Sequence, residues 1–92
     1  MGQLRYGSDV QVDVDDELLG HLEAAVISKL RRSESFALRL DDASGARTVW
    51  VSASSSLQFS YEGERPALDR AWLEALVETA NTPAGLRLIP KP

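Results

Sequence analysis

Ninety-two residues suffice for one domain and are too few for two. Hydrophobic residues make up 43% of them, enough for a core and too many for a disordered chain, and there is no cysteine to supply disulfides or thiolate metal sites. The formal net charge of −4 argues against whole-surface attraction to phosphate, and no apolar run reaches the length of a membrane span.

The chain begins with alternation. Leu4 and Tyr6 point one way and Gln3 and Arg5 the other, then a Gly7-Ser8-Asp9 turn leads to Val10, Val12 and Val14 alternating with Gln11 and Asp13. This pattern predicts a hairpin of two short strands. A helix follows. Asp15 stands as its N-cap, Asp16 and Glu17 put negative charge in the first turn, and Val14 and Leu19 occupy the hydrophobic-staple positions. Leu18, Leu19, Leu22, Ala25, Val26 and Leu30 recur at helical spacing, and Lys29, Arg31 and Arg32 close the helix at the end where cations are favoured.

Phe36, Leu38 and Leu40 alternate with Ala37 and Arg39 in a third strand. Asp41 to Arg47, with Ser44-Gly45, reads as a hairpin loop. Thr48 to Ser52 is a further β-rich run, the serines at 52, 54, 55 and 56 read as a loop, and Leu57, Phe59 and Tyr61 alternate as the next strand. A second helix is expected from about Asp69 to Ala80, with Trp72, Leu73, Leu76, Val77 and Ala80 on one face and Asn81, Thr82 and Pro83 as its stop. Leu86 and Leu88 suggest a last short strand ended by Pro90 and Pro92. The order ββαβββαβ predicts an α+β domain spanning residues 1–92, its simplest packing a mainly antiparallel sheet with both helices on one face.

Little in the chain supports catalysis. The single histidine, His21, flanks the apolar stripe of the first helix and reads as a partly exposed helix residue. A serine–histidine–acid site would require it to leave that helix surface. Asp13, Asp15, Asp16 and Glu17 do not follow the calcium-loop spacing, and strand alternation plus helix capping accounts for all four. Phosphate-binding and dinucleotide-binding glycine motifs are missing. We therefore expect no catalytic residues, no metal and no cofactor.

Two features are not explained by patterning alone. Gly20, Ala24 and Ile27 lie together on the first helix, displaced from the main stripe. Glycine costs about 1 kcal/mol relative to alanine inside a helix, so a close backbone approach, by the second helix or a second copy, is the expected compensation. The other feature is Trp50. If Val49 and Val51 face the helices, Trp50 stands on the open sheet face, which by alternation also carries Arg5, Gln11, Arg39, Gln58, Ser60 and Arg87. If the strand is turned over, Trp50 is core. An exposed tryptophan among arginines suits a protein interface or a stacking platform for single-stranded nucleic acid.

End to end, the chain resembles a group of uncharacterised small actinobacterial domains that often carry the inherited name "ATP-dependent DNA ligase". The residues responsible begin with Gly2-x-Leu4-x-Tyr6-Gly7-Ser8, Asp15-Asp16, Leu19-x-His21-Leu22, Lys29-Leu30-Arg31-Arg32, Glu34-Ser35-Phe36 and Trp50. They continue with Pro66-Ala67-Leu68-x-Arg70-x-Trp72-x-Glu74-Ala75-Leu76 and Ala80-Asn81-x-Pro83-x-Gly85-Leu86-x-Leu88. The resemblance implies no ligase activity, because the Lys-x-Asp-Gly adenylation motif is missing and the chain is too short for a nucleotidyltransferase domain. What it implies is association with, or descent from, a DNA-processing protein. The chain departs from the pattern after Trp50, where Ser52 to Ser56 replaces a proline-containing stretch.

The sequence thus points to a non-enzymatic, cytoplasmic interaction domain. Its partner would be another protein or a second copy, held through the Trp50 face or the Gly20/Ala24/Ile27 seam. The alternative is an accessory single-stranded DNA-binding domain using Trp50, Arg5, Arg39 and Arg87, which the net charge disfavours. No membrane association is expected.

Overall fold

The computed structural model describes residues 2–42 and 45–89. The elements run β1 (Gly2–Tyr6), β2 (Val10–Val14), α1 (Asp16–Arg31), β3 (Phe36–Asp42), β4 (Gly45–Val51), β5 (Leu57–Ser60), α2 (Arg70–Ala80) and β6 (Leu86–Arg87). This is the ββαβββαβ order of an α+β domain. Ala43 and Ser44 of the expected hairpin loop, and the terminal Pro90 and Pro92, lie outside the described residues.

The sequence pattern suggested one sheet, and the strands divide instead into two of three strands each, β2-β1-β5 and β4-β3-β6. All pairings are antiparallel except β3 with β6. The two hairpins are local and easily formed. What separates the sheets is the corner between β4 and β5. There the Ser52 amide donates to Ser55 Oγ at 2.9 Å, the Ser55 amide donates to the Ser52 carbonyl at 3.0 Å, and the Ser52 and Ser54 hydroxyls meet at 3.1 Å. The serine run is an ordered turn, fastened by its own hydroxyls. It delivers β5 to β1, and the Gly7 amide secures the join by donating to the Ser56 carbonyl at 2.8 Å.

Helix α1 packs over β1 and against α2, and α2 packs over β3 and β6. The inward residues of both sheets and both helices form one continuous cluster that includes Leu4, Val12, Leu19, Leu22, Leu38, Val51, Trp72, Leu76 and Leu86. The apolar stripe of α1 behaves as its spacing predicts, with Leu19, Leu22, Ala25 and Val26 buried. Asp15 occupies the N-cap of α1, but its side chain makes no capping hydrogen bond. The neighbouring Asp16 carboxylate is used at long range, accepting from the Gly63 and Glu62 amides at 3.2 and 3.5 Å. At α2 the cap is chemical as well as positional: Asp69 Oδ1 accepts from the Trp72 amide at 3.1 Å.

His21 departs from expectation, because it is fully buried. The ring lies under the start of α2 and stacks on Trp72 with centroids 4.3 Å apart. Its Nδ1 lies 2.7 Å from the Glu17 carbonyl, and its Nε2 accepts from the Asp69 amide at 2.7 Å. A carbonyl can only accept and an amide can only donate, so the ring is the neutral Nδ1–H tautomer. Lys29 is buried as well: its Nζ donates to Asn81 Oδ1 at 2.6 Å and pairs with Glu34 at 3.0 Å, tying the end of α1 to the end of α2.

Candidate interaction surface

Alternation in β4 decides the orientation of Trp50. Val51 is buried and Val49 half-buried, facing Phe36 and Leu38 across the strand pair, so Trp50 points outward and is 60% exposed. The reading in which Trp50 belongs to the core is therefore excluded. The other tryptophan, Trp72, is the core residue, its Nε1 donating to the Ile89 carbonyl at 2.9 Å.

The structure does not gather all the expected open-face residues around Trp50. Arg5, Gln11, Gln58 and Ser60 lie on the outer face of β2-β1-β5, whereas Arg39, Arg87 and Trp50 lie on the outer face of β4-β3-β6. The shared alternation concealed the split, because a pattern of period two assigns a face but not a sheet. The first outer face is a self-contained polar ladder: Arg5 Nη2 donates to Gln11 at 2.8 Å, Gln3 to Asp13 at 3.3 Å and Gln58 to Ser60 at 3.3 Å.

The second outer face is different. Arg39 on β3 stands directly opposite Arg87 on β6 and opposite Thr48 on β4, while Trp50 lies diagonally across, paired with Ala37. Both arginines are exposed, and neither forms an ion pair among the described residues. Like charges directly opposite each other in a sheet are mildly destabilising. A chain of net charge −4 therefore sets Arg39 opposite Arg87, with no ion pair to either among the described residues, on the same face as its most exposed aromatic ring.

The Gly20 seam has an intramolecular explanation of another kind. A Cβ at position 20 would stand 2.7 Å from Pro66 Cγ, so the glycine admits the connection between β5 and α2 rather than the second helix. Beyond Pro66 the seam opens into a shallow groove of ≈ 220 Å³, where Ala24 and Ile27 meet Leu68 and Arg65. Ile27 and Leu68 are 44% and 53% exposed. One wall carries Tyr61, whose hydroxyl donates to Glu23 at 2.6 Å. Burial, reinforced by that bond, holds the phenol well above its ordinary value.

Among the described residues, no three His, Cys, Asp or Glu side chains stand together as a metal-binding group, and no helix is long and apolar enough to cross a membrane. No curated protein and no solved structure matches the chain. Residues 1–91 match the family described as domain of unknown function DUF7882, and the chain belongs to that family.

Proposed function

We propose that the chain is a non-catalytic, cytoplasmic interaction domain that docks a partner protein through the outer face of β4-β3-β6, with Trp50 as anchor and Arg39 and Arg87 as charge contacts. The observation that carries this reading is the company Trp50 keeps. Tryptophan and arginine are the side chains most enriched at binding hot spots, and here they stand exposed together on a face whose packing does not need them. The non-catalytic part rests on the polar groups that might have done chemistry. His21 has both ring nitrogens engaged inside the core, and Lys29 is buried in an ion pair. The resemblance to actinobacterial domains labelled as ligases adds no activity to this reading.

Trp50→Ala tests it directly. Loss of association should leave the cooperative melt within about 0.5 kcal/mol of wild type, as expected for a surface position. Trp72 remains as an internal fluorescent reporter of folding. A variant that loses its melt instead shows that Trp50 supports the fold, and the docking assignment fails at that residue.

A second reading, an accessory single-stranded DNA-binding domain, draws on the same indole and guanidinium groups. It predicts salt-sensitive binding of an oligonucleotide with quenching of Trp50 fluorescence. The net charge of −4 and the single exposed ring weigh against it. An oligonucleotide titration at low salt without quenching would dismiss it.

A further inference from the structure

Among the described residues, the strand that carries Trp50 has a ladder partner on one side only, β3. Its register against β3 is unbroken, and its sequence GARTVWV contains neither proline nor lysine. Bulges and prolines are among the usual means of blunting a sheet edge, and the described edge has neither, Arg47 being its one charged residue.

The backbone groups that β4 turns outward can be identified. The Trp50 carbonyl accepts from the Tyr6 hydroxyl at 2.6 Å and the Ser55 hydroxyl at 3.2 Å, so it points away from β3. Its partner Ala37 agrees: the Ala37 carbonyl would lie 2.6 Å from a Cβ at Gly85, on the β6 side of β3. Ala37 and Trp50 are thus a non-hydrogen-bonded pair. In an antiparallel ladder such pairs alternate with hydrogen-bonded ones, so the N–H and C=O of Thr48 and Ala46 also point outward. Neither residue has a backbone partner elsewhere among the described residues.

We propose that β4 receives an extended, carboxylate-bearing segment of a partner protein as an added strand, the backbone of Ala46 and Thr48 supplying the ladder and Arg39 and Arg87 the charge. This rests on the Trp50-face reading above. An added strand would place every second side chain on that face, beside Trp50 and Thr48. Thr48 is the only side chain between Arg39 and the new strand, and it is short enough for a guanidinium group to reach across. Charge complementarity selects the occupant: Arg39 and Arg87 are exposed on this face and form no ion pair among the described residues. A second copy paired through β4 would bring the same cations to the same face.

The test uses a fluorescein-labelled peptide of alternating glutamate and valine, its twin with alternate amides N-methylated, a lysine–valine peptide and oligothymidylate, each titrated against the whole chain. The glutamate peptide should bind. The N-methylated twin keeps every charge but cannot form the ladder, and should bind about tenfold more weakly or worse. The lysine peptide should not bind. Thr48→Pro removes an outward amide while sparing the bonds to β3, and should weaken the glutamate peptide by a similar factor. If that variant does not fold, the N-methylated twin on the wild-type chain decides. Equal binding of the two glutamate peptides, with binding still lost in Trp50→Ala, overturns strand addition and leaves the face reading standing. Undiminished binding by both Trp50→Ala and Arg39→Glu/Arg87→Glu overturns the face reading itself. Failure of the glutamate peptide alongside binding of oligothymidylate, or a sedimenting dimer that Thr48→Pro dissociates, gives the edge to nucleic acid or to a second copy and overturns the proposal.

Discussion

Two side chains show how much of this fold rests on single polar contacts. His21 carries the N-terminus of α2 on Nε2 and is anchored within α1 through Nδ1. In His21→Phe the ring can still stack on Trp72, but the Asp69 amide is left without its acceptor. Such a group costs about 1–3 kcal/mol, so the urea midpoint followed by fluorescence should fall accordingly. Ser33 offers the opposite opportunity. It ends α1 with φ 58, the Glu34 amide reaching back to the Lys29 carbonyl and the Ser33 amide to the Leu30 carbonyl. This is the Schellman arrangement, whose left-handed position favours glycine. Ser33→Gly should stabilise the chain by about 1 kcal/mol, visible as a melting temperature roughly 4–8 °C higher. Neither role could be read from the sequence, since His21 is completed by a residue 48 positions away and Ser33 has no local marker of its backbone angle.

At the scale of elements, local patterns were informative and long-range partnerships were not. The stripe of α1 and the Asp69 start and Asn81 stop of α2 are all written in nearest-neighbour chemistry. The transfer of β5 to β1 depends on serine hydroxyls folding back at one corner, and no periodicity reports it. For the same reason the candidate surface was half legible. Alternation grouped Trp50, Arg39 and Arg87 on one face but left open whether that face is outward, and merged with them Arg5 and Gln58 of the other sheet. The placement of β6 hinges on Gly85, whose φ of 85 suits only glycine and whose absent side chain admits the Ala37 carbonyl. Gly85→Ala should cost about 2 kcal/mol or more by strain alone. It should also displace Arg87, so peptide binding by the Trp50 face should fall even below the melting transition. The Tyr61–Glu23 bond gives α1 a second tie to the connection that follows β5, and it titrates. Since the folded chain holds the phenol above the unfolded value of 10.0, its contribution is complete below pH 10 and declines as pH rises beyond it. Melting temperature should therefore fall on the alkaline side of that point, and Tyr61→Phe should fall less steeply.

For the molecule as a whole, two sheets with separate ladders share one core, and this sets how the chain should open. Leu4 of one sheet and Leu38 of the other are both fully buried in the same cluster, with the two helices packed on each other behind them. Neither sheet can lose its inner face to water without exposing the other, so unfolding should be two-state. Native-state hydrogen exchange makes the expectation specific. Ladder amides of the central strands β1 and β3 should exchange only through global opening and report one common free energy. The β4 amides should divide by direction: Val49, turned toward β3, should join the slow group, whereas Thr48, turned outward, should exchange faster by about three orders of magnitude. A saturating glutamate–valine peptide should then slow Thr48 while leaving Val49 at the global rate, because an added strand covers the outward groups and nothing else. Slow exchange at Thr48 in the free chain would mean that the edge is already paired, and the surface on which Trp50 stands would have to be read as an interior seam of an assembly.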